Sequence, residues 1–269
     1  MLASRRRSAS AACMLGTEDP GPFRAEGRGP CLVAFHGFGG TVSEIAPLVR
    51  GVAEAGFAVR APLLPGHGTH PTELQDARFA EWCAHARREL EAAVAAHGAA
   101  VVCGFSLGSL VAIRLASEGH EGVRGLVAMG NPLALNPLLL GPLALVDNLG
   151  VELPDAYLVK PRPADMEDKA AMADLRTYDR HPLRAAVEVV RGVRLVRAEV
   201  PRVACPTLVL HGAKDRVCSV RGARWLAAHV RATDVTLRIY PRSAHVLARD
   251  HDRAAVLSDV LAFVERLGR

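Results

Sequence analysis

The stretch Val101–Ser109 constrains the fold of this chain more than any other part of the sequence. It contains the pattern G-x-S-x-G, with Ser106 at its centre, between an apolar run and a helix-compatible segment. This is the setting of a sharp strand-to-helix turn, in which the glycines allow close packing and the serine takes a strained backbone that exposes its hydroxyl. The pattern therefore predicts a nucleophilic serine. The alternative is a glycine-rich turn that merely joins a strand to a helix.

Apolar runs and amphipathic segments alternate along most of the chain. Continuous apolar runs are typical of strands buried in a parallel sheet, and helical periodicity is typical of the segments that cover it. Strands are predicted at 31–35, 57–62, 100–104, 123–129, 206–210 and 235–240, and helices at 43–55, 77–97, 107–117, 217–230 and 250–267. This order predicts an α/β fold with a mostly parallel central sheet flanked by helices.

The alternation fails between residues 131 and 200. This segment holds an apolar, proline-rich part, a charged part and a helical part, without a strand-like run, and it is longer than one crossover needs. We interpret it as a small helical cap or lid, inserted after the strand that follows the Ser106 helix. The sheet core then comprises 23–130 and 201–269, and we expect residues 1–22 to form a disordered tail.

Composition excludes several classes of function. The chain has 269 residues and a formal net charge of +5, but its arginines are spread along the whole length, which argues against a nucleic-acid groove. No apolar segment reaches the roughly 18 to 20 residues that span a bilayer, so stable membrane insertion is not expected. The six cysteines lack any C-x-x-C pair that would suit a metal. Cys31, Cys103 and Cys205 lie in or at the ends of apolar strand-like runs, which favours reduced core thiols in a cytoplasmic protein. Oligomeric state remains open.

Three side chains with complementary chemistry directly follow predicted strands. Ser106, Asp215 and His245 occur in the order Ser, Asp, His, and loops after parallel strands meet at one edge of the sheet. We assign Ser106 as the nucleophile, His245 as the general base and then acid, and Asp215 as the carboxylate that orients the histidine. Taken singly, each of the two partners has a plainer interpretation: His245 as a loop histidine, and Asp215 as the cap of the following helix. Asp250 and Asp252 are the nearest competitors for the acid role.

Acyl transfer also needs donors that stabilise an oxyanion, usually two backbone amides. The amide of Leu107, which follows the nucleophile, is one candidate. The second is the amide of Phe38 in the glycine-rich loop His36–Gly40, which leaves a predicted strand. That loop could instead be only a strand-ending turn.

Neither a metal nor a cofactor is expected. His67 and His70 flank Gly68, but no acidic or thiol companion lies in that loop to complete a metal site. The sequence also lacks both G-x-x-x-x-G-K-[ST] and G-x-G-x-x-G, which are typical of phosphate-binding loops.

Five short motifs together resemble the α/β-hydrolase superfamily. They are H-G-F-G-G at 36–40, P-G-H-G at 65–68, G-F-S-L-G at 104–108, H-G-A-K-D at 211–215 and S-A-H-V-L at 243–247. More narrowly, the chain resembles the bacterial carboxylesterase and monoacylglycerol lipase group from about Pro30 to Phe263. One departure is Ala244, where that group more often has glycine, and this puts the geometry of the histidine loop in question.

The resemblance implies a serine esterase that cleaves esters of short to medium acyl chains, or monoacylglycerols, through an acyl-enzyme. It implies the same triad and the same two oxyanion amides, with a leucine-rich lid segment lining the acyl pocket. Two alternatives stay open. The same triad could serve carbon-carbon bond hydrolysis, thioester hydrolysis or acyl transfer, or the chain could be a non-catalytic binding homologue.

Overall fold

A seven-stranded, mostly parallel sheet lies at the centre of the computed structural model. The structure describes residues 14–15, 19, 21–135, 143, 145, 147, 153–160 and 162–269. The strands are β1 (Met14–Leu15), β2 (Phe23–Ala25), β3 (Arg28–Phe35), β4 (Phe57–Ala61), β5 (Ala100–Phe105), β6 (Val123–Met129), β7 (Tyr157–Val159), β8 (Thr177–Tyr178), β9 (Arg180–Pro182), β10 (Thr207–Gly212) and β11 (Val235–Tyr240). The order in the sheet is β11-β10-β6-β5-β3-β4-β2, with β2 antiparallel to β4.

Helices cover both faces of this sheet. They are α1 (Ala46–Glu54), α2 (Pro71–Leu74), α3 (Phe79–His97), α4 (Leu107–Ser117), α5 (Lys169–Met172), α6 (Leu183–Glu199), α7 (Val220–His229) and α8 (Arg253–Leu267). Helices α1 and α8 pack on one face, and α3, α4, α6 and α7 pack on the other. The predicted α/β fold is confirmed, with each of the six predicted strands and five predicted helices within a few residues of its expected bounds.

The central strands are mostly apolar because both of their faces are covered. Along β3, Cys31 and Val33 face the core under α3 and α4, whereas Leu32 and Ala34 face the core under α1 and α8. All four side chains are fully buried. The period of two along the strand therefore supplies both cores from one continuous apolar run.

The secondary structure of the segment 131–200 differs from our expectation. We expected no strands there, yet β7 and β9 form a short antiparallel pair, and β8 pairs with β1 from the N-terminal segment. These strands are only two or three residues long, too short for an apolar alternation to show in the sequence. Helix α6 packs against α3 and α4. The boundaries of the cap stay a prediction, and so does the disordered tail, most of which lies outside the described residues.

Two other expectations concern the state of the cysteines and membrane-spanning segments. The cysteines in the described part of the chain are free thiols, and those in β3 and β5 are fully buried, as expected of core thiols. None of the helices that the structure describes is long and apolar enough to cross a membrane.

Helix α4 packs so closely on β3 that residue 108 must be glycine, which can be tested by substitution. A Cβ there would lie 2.1 Å from the carbonyl oxygen of Phe35, so the helix could not pack where it does. We expect Gly108→Ala to lower the free energy of unfolding by about 3 kcal/mol, measured by urea denaturation. Gly119→Ala is the control, because φ there is +72° but nothing lies near the added Cβ, and it should cost only about 1 kcal/mol. Equal losses in both variants would contradict this account.

Candidate active site

Ser106 occupies a strained turn between β5 and α4. Its φ is 53°, and it is the one non-glycine residue of the described chain with a positive φ. Glycines make the turn possible: a Cβ on Gly104 would lie 2.0 Å from the carbonyl oxygen of Gly108. The Ser106 amide donates to the Met129 carbonyl at 2.9 Å, which ties the turn to β6. The hydroxyl of Ser106 is thereby fixed at the carboxyl edge of the sheet.

The structure brings Ser106, His245 and Asp215 into one line of hydrogen bonds. His245 Nε2 lies 3.0 Å from Ser106 Oγ, and His245 Nδ1 lies 2.7 Å from Asp215 Oδ2. These residues are 139 and 30 positions apart in the sequence, and they meet because the loops after β5, β10 and β11 leave the same edge of the sheet. These distances are the ones that a nucleophile, a general base and an orienting carboxylate require.

The Asp215 carboxylate is held by four donors. Its Oδ1 accepts the amides of Val217 and Cys218 at 2.9 and 2.7 Å, and its Oδ2 accepts from His245 and lies 3.2 Å from His211 Nε2. Asp215 therefore holds its own loop and His245 together. It does not cap the following helix, because Ser219 accepts the Arg221 amide at the start of α7.

Burial and charge oppose each other in this pair. Burial would raise the pKa of Asp215, but the His245 and His211 rings outweigh it and hold that pKa well below its usual range. Burial would likewise lower the pKa of His245, but the Asp215 carboxylate outweighs it and raises that pKa well above the usual value. The buried carboxylate thus stabilises the protonated imidazole.

Asp250 and Asp252, the competing acids, contact other groups. Asp250 is fully buried and accepts backbone amides, among them that of Ala244 at 2.8 Å. Asp252 accepts the amide and the guanidinium of Arg242 at 2.9 and 3.1 Å. Asp215 is therefore the acid that contacts His245. Ala244 itself is buried and lies outside the positive-φ region, so its methyl group requires no left-handed backbone.

The two candidate oxyanion donors, Phe38 and Leu107, line the same cavity as Ser106. Leu107 is the first residue of α4, where the amide has no partner within the helix. Phe38 follows Gly37, whose amide donates to Glu44 Oε2 at 2.7 Å. The loop after β3 is therefore wrapped around a buried carboxylate.

Sequence reasoning missed Glu44. A Cβ on Gly40 would lie within 2.3 Å of the Glu44 carboxyl group, so the glycine-rich loop owes its shape partly to this side chain. Burial raises the pKa of Glu44 to about 7, against the Gly37 amide and the charge of Lys160, which lower it. One feature of the sequence could have indicated a role for Glu44. It is the one charged residue between Arg28 and Arg50.

A cavity of about 600 Å³ opens above Ser106. Its apolar wall includes Phe38, Leu135 and Val189, and its polar side includes Glu44 and Lys160. Burial lowers the pKa of Lys160 to about 8, with Glu44 opposing the shift, and its Nζ donates to Thr177 Oγ1 at 2.7 Å. Of the leucine-rich segment predicted to line the acyl pocket, Leu135 does so, and most of the rest lies outside the described residues.

The three histidines in the loops after β3 and β4 have local partners. The ring of His36 accepts the Leu64 amide at 3.1 Å, and the His67 Nδ1 atom contacts the carbonyls of Leu64 and Pro65. His70 caps α2 by accepting the Thr72 amide. Burial lowers the pKa of His36 to about 4 and that of His67 to about 3, so both rings are neutral at ordinary pH.

Curated relatives match most of the chain. A thermostable monoacylglycerol lipase from Bacillus sp. (strain H-257) is 25% identical over 245 residues, which cover 90% of this chain and 93% of the relative. A carboxylesterase from Bacillus subtilis (strain 168) is 24% identical over 252 residues, covering 92% of this chain and 97% of the relative.

Solved structures share the fold. A structure from work on the metagenome-derived lipolytic enzymes LipS and LipT superposes with a TM-score of 0.85 at 23% identity, over 93% of this chain and 99% of that one. The monoacylglycerol lipase of Paleococcus ferrophilus gives a TM-score of 0.75 at 22% identity, over 94% and 97% of the two chains. The family model described as "Serine aminopeptidase, S33" matches residues 28–252. The chain therefore belongs to this family of serine hydrolases with the α/β-hydrolase fold.

Proposed function

We propose that this protein hydrolyses carboxylic esters of short to medium acyl chains, or monoacylglycerols, with Ser106 as its nucleophile. The observation that carries this proposal is the continuous hydrogen-bonded line from Ser106 through His245 to Asp215 at the floor of an apolar cavity. The relatives named monoacylglycerol lipase and carboxylesterase support the choice of an ester substrate.

We assign one or two residues to each proposed step. Neutral His245 takes the hydroxyl proton of Ser106 as the oxygen attacks the ester carbonyl. The amides of Phe38 and Leu107 stabilise the resulting oxyanion. His245 then gives the proton to the departing alcohol, which leaves an acyl-enzyme, and in the second half it activates the water that releases the acid. Asp215 keeps the imidazole in the tautomer with its proton on Nδ1.

The size of the cavity fits the proposed substrates. Ligand pockets usually have volumes of roughly 300 to 1,000 Å³ and present mostly apolar walls, as this cavity of about 600 Å³ does. An acyl chain on the apolar wall gains about 0.8 kcal/mol for each buried methylene group. Longer chains should therefore bind more tightly until the wall is filled.

The nucleophile assignment is tested by Ser106→Ala. We expect this variant to lose at least about 10³-fold in kcat toward 4-nitrophenyl butyrate, because no other hydroxyl is bonded to His245 in the described part of the chain. Ser117→Ala is the matched control, since its hydroxyl donates to the Arg114 carbonyl at the end of α4. Near wild-type turnover by Ser106→Ala would remove Ser106 from the mechanism.

Substrate class is tested by a panel on the wild-type protein. Four-nitrophenyl esters from acetate to dodecanoate and a series of 1-monoacylglycerols should be hydrolysed, with KM falling as the acyl chain lengthens. Acyl thioesters and a vinylogous diketone serve as comparison substrates. Higher kcat/KM on either of those would favour the corresponding alternative reaction.

The role of Asp215 predicts a change in pH dependence. Because His245 acts as a base only when neutral, kcat/KM should rise with pH through the raised pKa of His245. Asp215→Asn removes the charge that raises this pKa while burial still lowers it, so the acid limb should move to lower pH. Turnover itself should fall by about 10⁴-fold. Asp234→Asn, which affects an ion pair with Arg266, is the control, and an unmoved limb in Asp215→Asn would contradict the assignment.

The Glu44 carboxyl group predicts a second comparison. Glu44→Ala leaves the buried amide of Gly37 without its acceptor, so the loop that carries Phe38 should shift. We expect kcat/KM to fall by about 10- to 100-fold, whereas Glu44→Gln keeps an oxygen for the amide and should retain most activity. Glu54→Ala, on the exposed face of α1, is the control. Full activity of Glu44→Ala would show that the loop holds its shape unaided.

A further inference from the structure

One short segment of the insertion supports the backbone around both His245 and Asp215. Some of the hydrogen bonds are made by the segment itself, and others by a carboxylate that is bound to it. We name residues 165–168 the clamp segment. It lies in the region predicted as the cap, between β7 and α5. The sequence showed it only as part of a charged stretch, and the mechanism above does not use it.

His245 lies in a loop that has no regular structure of its own. The loop follows β11, which ends at Tyr240, and the next helix begins at Arg253. The Val246 amide donates to the carbonyl of Asp165 at 3.2 Å, and the Ala244 amide donates to Asp250 Oδ2 at 2.8 Å. Both chain neighbours of His245 are therefore held by groups outside a strand or helix.

Asp250 connects the histidine loop to the clamp segment. Its Oδ2 also accepts the Glu167 amide at 3.0 Å, and its Oδ1 accepts the amides of Asp168 and His251, each at 2.9 Å. One fully buried carboxylate thus satisfies four backbone donors from two segments that are more than seventy positions apart. Such a group fixes the distance between the segments that it joins.

Asp165 extends the same connection to the loop of Asp215. Its Oδ2 accepts the amide of Arg216 at 2.8 Å, and its Oδ1 accepts the Arg216 guanidinium at 2.8 Å. The guanidinium side of this pair is half exposed and contributes little to stability. The bond to the amide is different, because it sets the backbone directly after Asp215.

The clamp segment is itself anchored. The side chain of Met166 is buried in the core under α1 and α8, which also contains Val246 and Leu247. Asp168 caps α5 through the Ala171 amide at 3.1 Å and pairs with Arg253 at 2.9 Å. The segment is therefore an anchored support for the loops of Asp215 and His245.

We propose that Asp165 and Asp250 are positioning residues, which set the Asp215–His245 hydrogen bond by holding the backbone next to each partner. This inference rests on the proposed function, because it assigns the two carboxylates to the geometry of that triad. It also makes this part of the insertion a support of the catalytic loops as well as a wall of the cavity, which Asp165 lines. Catalysis is sensitive to displacements of about 1 Å, so losing either support should reduce turnover.

The decisive comparison is between Asp165→Ala and Asp165→Asn in the full chain. Asp165→Ala removes the acceptor of the Arg216 amide, and we expect kcat for 4-nitrophenyl acetate to fall about tenfold with KM within about twofold of wild type. Asp165→Asn keeps an oxygen for that amide while weakening the ion pair, so it should recover most of the wild-type kcat. Asp155→Ala breaks an exposed ion pair with Arg184 elsewhere in the insertion and should leave kcat unchanged.

A second measurement reports the geometry without turnover. The proton on His245 Nδ1, bonded to Asp215, should give a low-field ¹H resonance in the wild-type protein, which weakens or shifts in Asp165→Ala and persists in Asp165→Asn. Asp250→Asn provides an independent variant, because its amide group would face two backbone donors in place of an oxygen. It should disturb the resonance and lower kcat, with folding checked by thermal unfolding.

The outcomes separate this inference from the proposed function. Wild-type kcat and an unchanged resonance in Asp165→Ala would overturn the inference, even if Ser106→Ala is inactive and the proposed function stands. Equal loss in Asp165→Asn and Asp165→Ala would also overturn it, because the ion pair and not the amide bond would then matter. If Ser106→Ala keeps wild-type turnover, the proposed function fails, and the resonance still shows whether the two carboxylates set the Asp215–His245 bond.

Discussion

The strained backbone of Ser106 is the constraint on which the rest of the site depends. A positive φ costs a residue with a side chain roughly 1 to 2 kcal/mol, and the turn persists because β5, β6 and α4 fix both of its ends. Glycines at 104 and 108 permit that packing, since a side chain at either position would collide with backbone. Once the serine is fixed, every other group must be brought to it.

The order of strands decides which groups can reach Ser106. Strand β3 lies directly beside β5, so the loop that carries Phe38 meets the first amide of α4 across one strand spacing. Strands β10 and β11 lie further along the sheet, beyond β6, and Asp215 and His245 reach back over that distance on loops. Hydrogen bonds to groups outside the strands and helices hold both of these loops.

Buried carboxylates recur as the means of holding those loops. Glu44 accepts an amide of the loop that carries Phe38, Asp215 accepts two amides of its own loop, and Asp250 accepts amides of the His245 loop and of residues 167 and 168. A buried carboxylate is costly unless hydrogen bonds satisfy it, so each one requires a definite backbone arrangement around it. Glu44, Asp215 and Asp250 thus all hold loops of the site, and of these three Asp215 is the one that contacts His245.

The sequence by itself determined the strands and helices and the order in which Ser106, Asp215 and His245 follow strands, because apolar runs, glycine-bounded turns and motif spacing are local signals. It could not show which of Asp215, Asp250 and Asp252 contacts His245. It also did not reveal that Glu44 accepts the Gly37 amide, or predict the short strands β7, β8 and β9. Those features depend on which distant segments meet. Only the tertiary structure decided the order of the strands, the Asp215–His245 hydrogen bond and the hydrogen bonds of Asp165 and Asp250. Each of these joins residues that are far apart in the chain, and no local pattern in the sequence indicates which distant residues meet.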